Sequence, residues 1–341
     1  MYRYKLKVEN IRSFNAINND IYFVKNNSIF GSSNDDSISL IEESCDRILI
    51  LFSSLVFLSE YNRIIFSYPN EVLFNNPISK IIDDKIYYYI KTKPKRTYGI
   101  YELNKILIES NKISGNFTNI KNFIYDYDNQ FVRKINFLDE ILWQFTLSSL
   151  GKLPYKNEND EVDKILGIAH GNLWFYTKAG RLIALDIETG EVTKKYSYLP
   201  EDKKLGYELT PGFGRIFFNE ADENLYALGA DYFHIINTKI KSIEEQYKHS
   251  ISDPKGMGKY AIYSPLLQGD YFTFIAADQN SARLRFLGLF DIHKKQLVWE
   301  HELFSTKDDN ELIAPEPLYM SGNKLYVKDF NSNLHIFERQ D

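Results

Sequence analysis

The feature that most constrains this chain is a unit that recurs along it: a short strand, a tight turn, then a strand of aliphatic and aromatic residues. It reads Asn15-Ala-Ile-Asn-Asn-Asp-Ile-Tyr-Phe-Val24 near the start and Lys80-Ile-Ile-Asp-Asp-Lys-Ile-Tyr-Tyr-Tyr89 further on. It returns as Gly167-Ile-Ala-His-Gly-Asn-Leu-Trp-Phe-Tyr176 and Leu318-Tyr-Met-Ser-Gly-Asn-Lys-Leu-Tyr-Val327, with weaker copies around Leu55, Phe123, Ile216 and Tyr271. Asn, Asp and Gly at the turn tolerate the positive φ that a two-residue hairpin needs. The Val, Ile, Tyr and Phe that follow suit a pleated surface.

A second half-unit follows each of these, again strand, turn and strand, with a large apolar residue near the end. The clearest copy is Arg181-Leu-Ile-Ala-Leu-Asp-Ile-Glu-Thr-Gly-Glu-Val192, where Thr189-Gly190 makes the turn. Leu289 to Trp299, Asn136 to Trp143 and Ser67 to Phe74 share its plan. Anchors at Ile21, Leu55, Ile86, Phe123, Leu173, Ile216, Tyr271 and Leu325 are spaced by about 31 to 55 residues, drifting upward along the chain into the range of a four-stranded propeller repeat. One such unit cannot bury its apolar face alone; radial stacking of four-stranded sheets buries it and protects the strand edges. The expected fold is all-β: a single β-propeller of eight four-stranded blades, or seven if one weak N-terminal copy is not a blade. The last copy stops after its third strand, Leu334-His-Ile-Phe337, so Tyr2 to Val8 is expected to supply the fourth and close the ring. No linker rich in Pro, Gly or Ser divides the chain, which is read as one domain over 1–341.

Composition agrees with strands: 25 Tyr, 24 Phe and 3 Trp make 15% of the residues. A net charge of −5 argues against a protein that works by neutralising nucleic-acid phosphates. The most apolar stretch, Ile48 to Leu58, is too short to span a bilayer. With one cysteine, Cys45, no intramolecular disulfide can form, and the N-terminus lacks the pattern of a secretory signal. A cytoplasmic protein that does not engage membranes, and is monomeric by itself, is expected.

The segment Leu182 to Val192, preceded by Gly171-Asn-Leu-Trp-Phe-Tyr176, resembles the repeat of the PQQ-like (quinoprotein-type) propellers. Trp143 and Trp299 resemble that family's tryptophan near the end of the outer strand. The resemblance covers three or four repeats, mostly between 120 and 341, and it implies the fold. The family holds quinone-dependent dehydrogenases and non-enzymatic assembly scaffolds. The adjacent-cysteine pair common in the enzymes is missing, and no positions match their Ca²⁺ and quinone ligands. The resemblance therefore implies the non-enzymatic branch, and no cofactor is expected.

No catalytic or metal motif stands out. The six histidines form no zinc-binding pair; His234 and His335 lie in apolar strands and read as structural, His170 and His293 as turn residues. Gly256-Met-Gly-Lys259 lacks the rest of a phosphate loop, and Asp126-Tyr-Asp-Asn129 lacks the rest of a calcium loop. The basic run Lys91 to Arg96 reads as a solvated hairpin tip that guards a sheet edge. Two acidic runs, Glu158-Asn-Asp-Glu161 and Asp308-Asp-Asn-Glu311, fall in long loops, where binding commonly lives. Glu158, Asp160, Glu161, Asp308, Asp309 and Glu311 are thus the expected contacts for a protein partner. The function expected is a non-enzymatic binding scaffold. Its narrower form is a bacterial immunity protein that neutralises a basic toxin by covering it. A sugar-binding or small-molecule-binding propeller, or an enzyme with its site at the central channel, is the alternative.

Overall fold

A computed structural model describes residues 1–11 and 122–340, other than 127–129, 137–139, 230, 249–258, 279–282, 306–310 and 315–317. Between 13 and 117 it describes strand backbones, with side chains at Phe14 and Phe23. Among the described residues the strands form eight sheets, each made of strands consecutive in sequence except the last. The first four comprise Ser13–Ile17 to Asp36–Ile41, Arg47–Leu51 to Ile64–Tyr68, Ile78–Ile82 to Lys105–Ser110, and Asn116–Phe117 to Ile141–Thr146. The fifth runs Val162–Ala169, Asn172–Thr177, Leu182–Asp186, Val192–Ser197 and ends on the short Glu208–Leu209. The sixth spans Arg215–Asn219 to Ser242–Lys248 and the seventh Tyr260–Gln268 to Gln296–Glu302. The eighth holds Tyr319–Ser321, Lys324–Lys328 and Leu334–Arg339, and its fourth strand is Tyr2–Val8, antiparallel to Leu334–Arg339. The chain divides into two compact units, 1–78 with 250–341, and 79–249.

The recurrent hairpins fall where the turn chemistry puts them. Asn15 pairs with Tyr22, Ile168 with Leu173 across the His170-Gly171 turn, and Met320 with Leu325. Gly171 has φ +74 and His170 φ +46, the left-handed pair that a type I′ turn requires. Seven anchors lie in the second strand of their sheet; Ile216 lies in a first strand, and Leu225 holds the equivalent place. The basic run spans a hairpin in which Lys91 pairs with Arg96 and Thr92 with Lys95. Most of Ser67 to Phe74, residues 256–258 of the glycine run, and Cys45 lie outside the described residues.

In unit 79–249 the central strands of the fifth sheet are buried on both faces, which explains their near-continuous apolar reading. Leu173, Phe175, Ile183 and Leu185 pack against Phe123, Val132 and Trp143 of the fourth sheet. On the other side Trp174, Leu182 and Ala184 pack against Ile216, Leu225 and Ile236 of the sixth. Trp143 reaches from the outer strand of the fourth sheet to the next sheet's turn. Its Nε1 donates to the Ile187 carbonyl at 2.9 Å. Its ring lies against Gly190, where a Cβ would sit 2.7 Å from Cδ2, so glycine is needed both for that approach and for φ +75. In the other unit Trp299 holds the matching place, edge-on to Tyr2 at 5.5 Å and against Phe337 of the eighth sheet.

Candidate protein-docking surface

One end of the fifth sheet carries a buried polar assembly beneath two loops. The hairpin after Asn172–Thr177 turns through Gly180, at φ +78, with the Thr177 and Arg181 backbones paired. Arg181 then begins an apolar run, Leu182-Ile-Ala-Leu, and its side chain is 2% exposed. A charge placed there must be paired. Its Nε and NH2 donate to the two oxygens of Asp202 at 2.6 and 2.8 Å, and its NH1 donates to Asp160 at 2.8 Å. Burial works against the charge, but the hydrogen bonds that Arg181 donates to Asp202 and Asp160 outweigh it and hold its pKa above the ordinary value.

Each aspartate ties down a different loop. Asp160 Oδ1 accepts the N–H groups of Ala179 and Glu161, at 3.0 and 2.9 Å. Asp202 accepts the Ser197 hydroxyl at 2.6 Å and lies in a single 3₁₀ segment, Pro200–Leu205, closed by Gly206 at φ +81. Tyr207, whose hydroxyl donates to the Leu150 carbonyl at 2.9 Å, joins the two loops.

The first loop is a small hairpin finger. Lys152 and Asn159 form an antiparallel bridge, and the Leu153 N–H donates to the Glu158 carbonyl at 2.9 Å. The Asp160 N–H continues the ladder onto the Gly151 carbonyl at 3.2 Å. At the tip the Lys156 N–H closes onto the Leu153 carbonyl, and Tyr155 stands at φ +63 with its side chain wholly exposed. Positive φ is uncommon for a bulky residue and costs free energy, which the anchored base of the finger sustains. Tyr198, Leu205 and Leu209 of the second loop are also exposed. Tyr198 covers Gly180, and Leu205 touches Gly151. Tyr155 and Tyr198 are thus exposed tyrosines, a residue type enriched at binding hot spots, on loops with a pinned base.

This placement revises the expected contacts. Asp160 is fully buried and cannot meet a partner; it serves as an internal counter-ion. Glu161 is mostly covered and pairs with Lys178, while Glu158 is exposed, 3.8 Å from Lys156. Glu311 is half-buried, and Asp308 and Asp309 lie outside the described residues. Sequence reading missed Arg181, Asp202 and Tyr155. The signal for the first was there, since an arginine opening a buried strand demands a carboxylate. Nothing local marks Tyr155 among 25 tyrosines.

Three of the histidines, His170, His293 and His335, lie where expected. His170 and His293 are in turns, 3.3 Å from Glu223 and 3.0 Å from Asp270. His335 is buried, with Nε2 2.9 Å from Asp329 Oδ2 and Nδ1 3.4 Å from the Tyr4 hydroxyl. Asp126, of the rejected calcium loop, is buried with Arg133 at 3.0 Å. Among the described residues no cluster of three His, Cys, Asp or Glu side chains is placed to hold a metal ion. No described helix is long and apolar enough to cross a membrane.

No protein-family model matches this sequence, and no curated protein matches it either. Solved structures do. The C-terminal WD40 domain of Sif2 is similar over 100% of this chain and 99% of its own, with a TM-score of 0.57 at 10% identity. Sqt1 of Saccharomyces cerevisiae covers 100% and 98%, with a TM-score of 0.55 at 10% identity. BamB of Moraxella catarrhalis covers 100% and 98%, with a TM-score of 0.55 at 11% identity. Together with the all-β architecture, these likenesses define the class of this protein: its fold is a β-propeller.

Proposed function

We propose that this chain is a non-enzymatic, cytoplasmic protein-binding scaffold. Its eight sheets are the blades of one propeller domain of the PQQ-like kind, and Tyr2–Val8 closes the ring. The observation that carries the binding reading is Tyr155, wholly exposed at positive φ on a finger whose base is locked by the buried Asp160–Arg181 pair. A rigid aromatic gives large contact area while losing little side-chain entropy, so evolved binding surfaces favour it. The toxin-neutralising form of the scaffold draws on the net charge of −5 and on the acidic run Asp308-Asp-Asn-Glu311. In the finger Asp160 is buried and Glu158 and Glu161 are matched by Lys156 and Lys178.

The test is capture from the native host with tagged protein, comparing wild type, Tyr155→Ala and Tyr263→Ala. Tyr263 is an exposed tyrosine of the other unit. A stoichiometric partner held by wild type and Tyr263→Ala, and bound at least about tenfold more weakly by Tyr155→Ala, supports the reading. Equal capture by all three places the contact elsewhere. No partner defeats the scaffold reading.

A further inference from the structure

Within the unit formed by 1–78 and 250–341, a cleft of about 360 Å³ opens between the seventh and eighth sheets. Leu289, Met320 and the rings of Tyr2 and Tyr271 line it beside Gln268 and Asp270, and more of its open surface is polar than apolar. At its side the Arg339 guanidinium lies 5.0 Å from the centre of the Tyr271 ring. Among the described residues Arg339 has no carboxylate partner: its backbone groups bond to Asn323, and its charged end lies against the Tyr271 ring and near Tyr2. Stacking fixes the plane of a guanidinium while leaving its fork of N–H donors free for a planar anion.

The other polar groups narrow the ligand. Tyr2 is buried and packed on Trp299. Burial raises its pKa, with Arg339 pulling the other way, so its hydroxyl stays a neutral donor beside the cation. Asp270 lines the rim, paired through one oxygen with His293 at 3.0 Å, and it repels a polyanion. Gly269 and Gly322 stand at the two turns that border the mouth, at φ +55 and +57. Nothing lies within 4 Å of where a Gly269 Cβ would be, so that rim is open.

We infer that this cleft binds a small monocarboxylate, its carboxylate on Arg339 and the rest of the molecule between Met320 and the polar rim at Gln268 and Asp270. A free amino acid meets the same description, with its ammonium group facing Asp270. A phosphate ester does not, since its second charge would face that aspartate.

Three probes of one skeleton separate the possibilities by calorimetric titration and saturation-transfer NMR: 4-methylpentanoate, L-leucine and 3-methylbutylamine. The two carboxylates are expected to bind and the amine not to bind. Tighter binding of L-leucine identifies amino acids as the source of the carboxylate; tighter binding of 4-methylpentanoate identifies simple acids. Arg339→Gln is expected to weaken carboxylate binding at least about tenfold, and Arg339→Lys to keep part of it. Both variants should fold, because Arg339 is exposed and its side chain forms no ion pair among the described residues. Amine binding equal to acid binding in the wild type overturns the inference without any variant. So does unchanged affinity in Arg339→Gln, or the absence of binding by either carboxylate at about 10 mM, which corresponds to only about −3 kcal/mol.

Discussion

Replacing Asp160 by Ala tests whether the buried assembly holds the finger. Asp160 is completely covered and makes three bonds, to Arg181 NH1 and to the N–H groups of Ala179 and Glu161. Truncation leaves the Arg181 charge paired with Asp202 alone and strips two backbone donors of their acceptor. Breaking a buried pair costs about 3–5 kcal/mol, and orphaned buried donors account for much of that figure rather than adding to it. The Asp202 fork survives, so the lower half of that range, about 3–4 kcal/mol, is expected. Unfolding entropy is about 2.1 cal/mol/K per residue. If residues 79–249 unfold as a unit, Tm should fall by roughly 8–11 °C; if the whole chain unfolds in one step, by roughly 4–6 °C. Scanning calorimetry measures either. Asp160→Asn keeps an oxygen for the two N–H donors and should lose less. Glu158→Ala, exposed on the same finger, should change stability by less than about 0.5 kcal/mol. A fall below about 1 °C for Asp160→Ala would refute the claim that this pair anchors the loop.

Two further perturbations probe the other unit. His335 is held below its ordinary pKa because burial disfavours its charge, against the pull of Asp329. Burial pushes Asp329 up, but its bonds from His335 and Asn333 leave it below the ordinary carboxylate value. The folded state therefore takes up both protons less readily than the unfolded chain. Stability from His335 is full above its unfolded value of 6.5 and falls as pH drops below it, with Asp329 adding a second loss below 3.8. His301, lowered by burial, acts in the same direction. Tm should fall between pH 7 and pH 5, and less steeply in His335→Gln; a Tm that rises on acidification contradicts the assignment. Gly288→Ala would set a Cβ 2.1 Å from Phe274 Cζ, in a cross-strand pair where the ring covers the glycine. Phe274 is fully buried, so the variant should lose about 1–3 kcal/mol in denaturant titration. Gly212→Ala, with open space around it, should not; equal losses would show that chain flexibility rather than packing is at stake.

The strands and hairpins were legible because their causes are local: alternation of side chains and turn residues that accept positive φ act within ten residues. The pairing of Tyr2–Val8 with Leu334–Arg339 was legible for another reason, since a last sheet lacking its outer strand leaves an open edge that the free N-terminal strand can satisfy. Ile216 misled because Ile-Phe-Phe218 and Leu-Tyr-Ala227 are adjacent strands of equal apolar character, and the sequence between them does not say which is first in its sheet. Asp160 misled for a deeper reason. Its run, Glu-Asn-Asp-Glu161, is what a solvated loop looks like, and its fate is decided by Arg181 and the Asp202 loop, each about twenty positions from the next. Charge in a sequence window reports composition, while burial depends on a partner brought in by the fold. The useful signal was thus not the acidic run but the lone cation opening Leu-Ile-Ala-Leu185, which could be buried only with carboxylates supplied from elsewhere. Following that demand outward leads from Arg181 to Asp160, and from Asp160 to the finger that carries Tyr155.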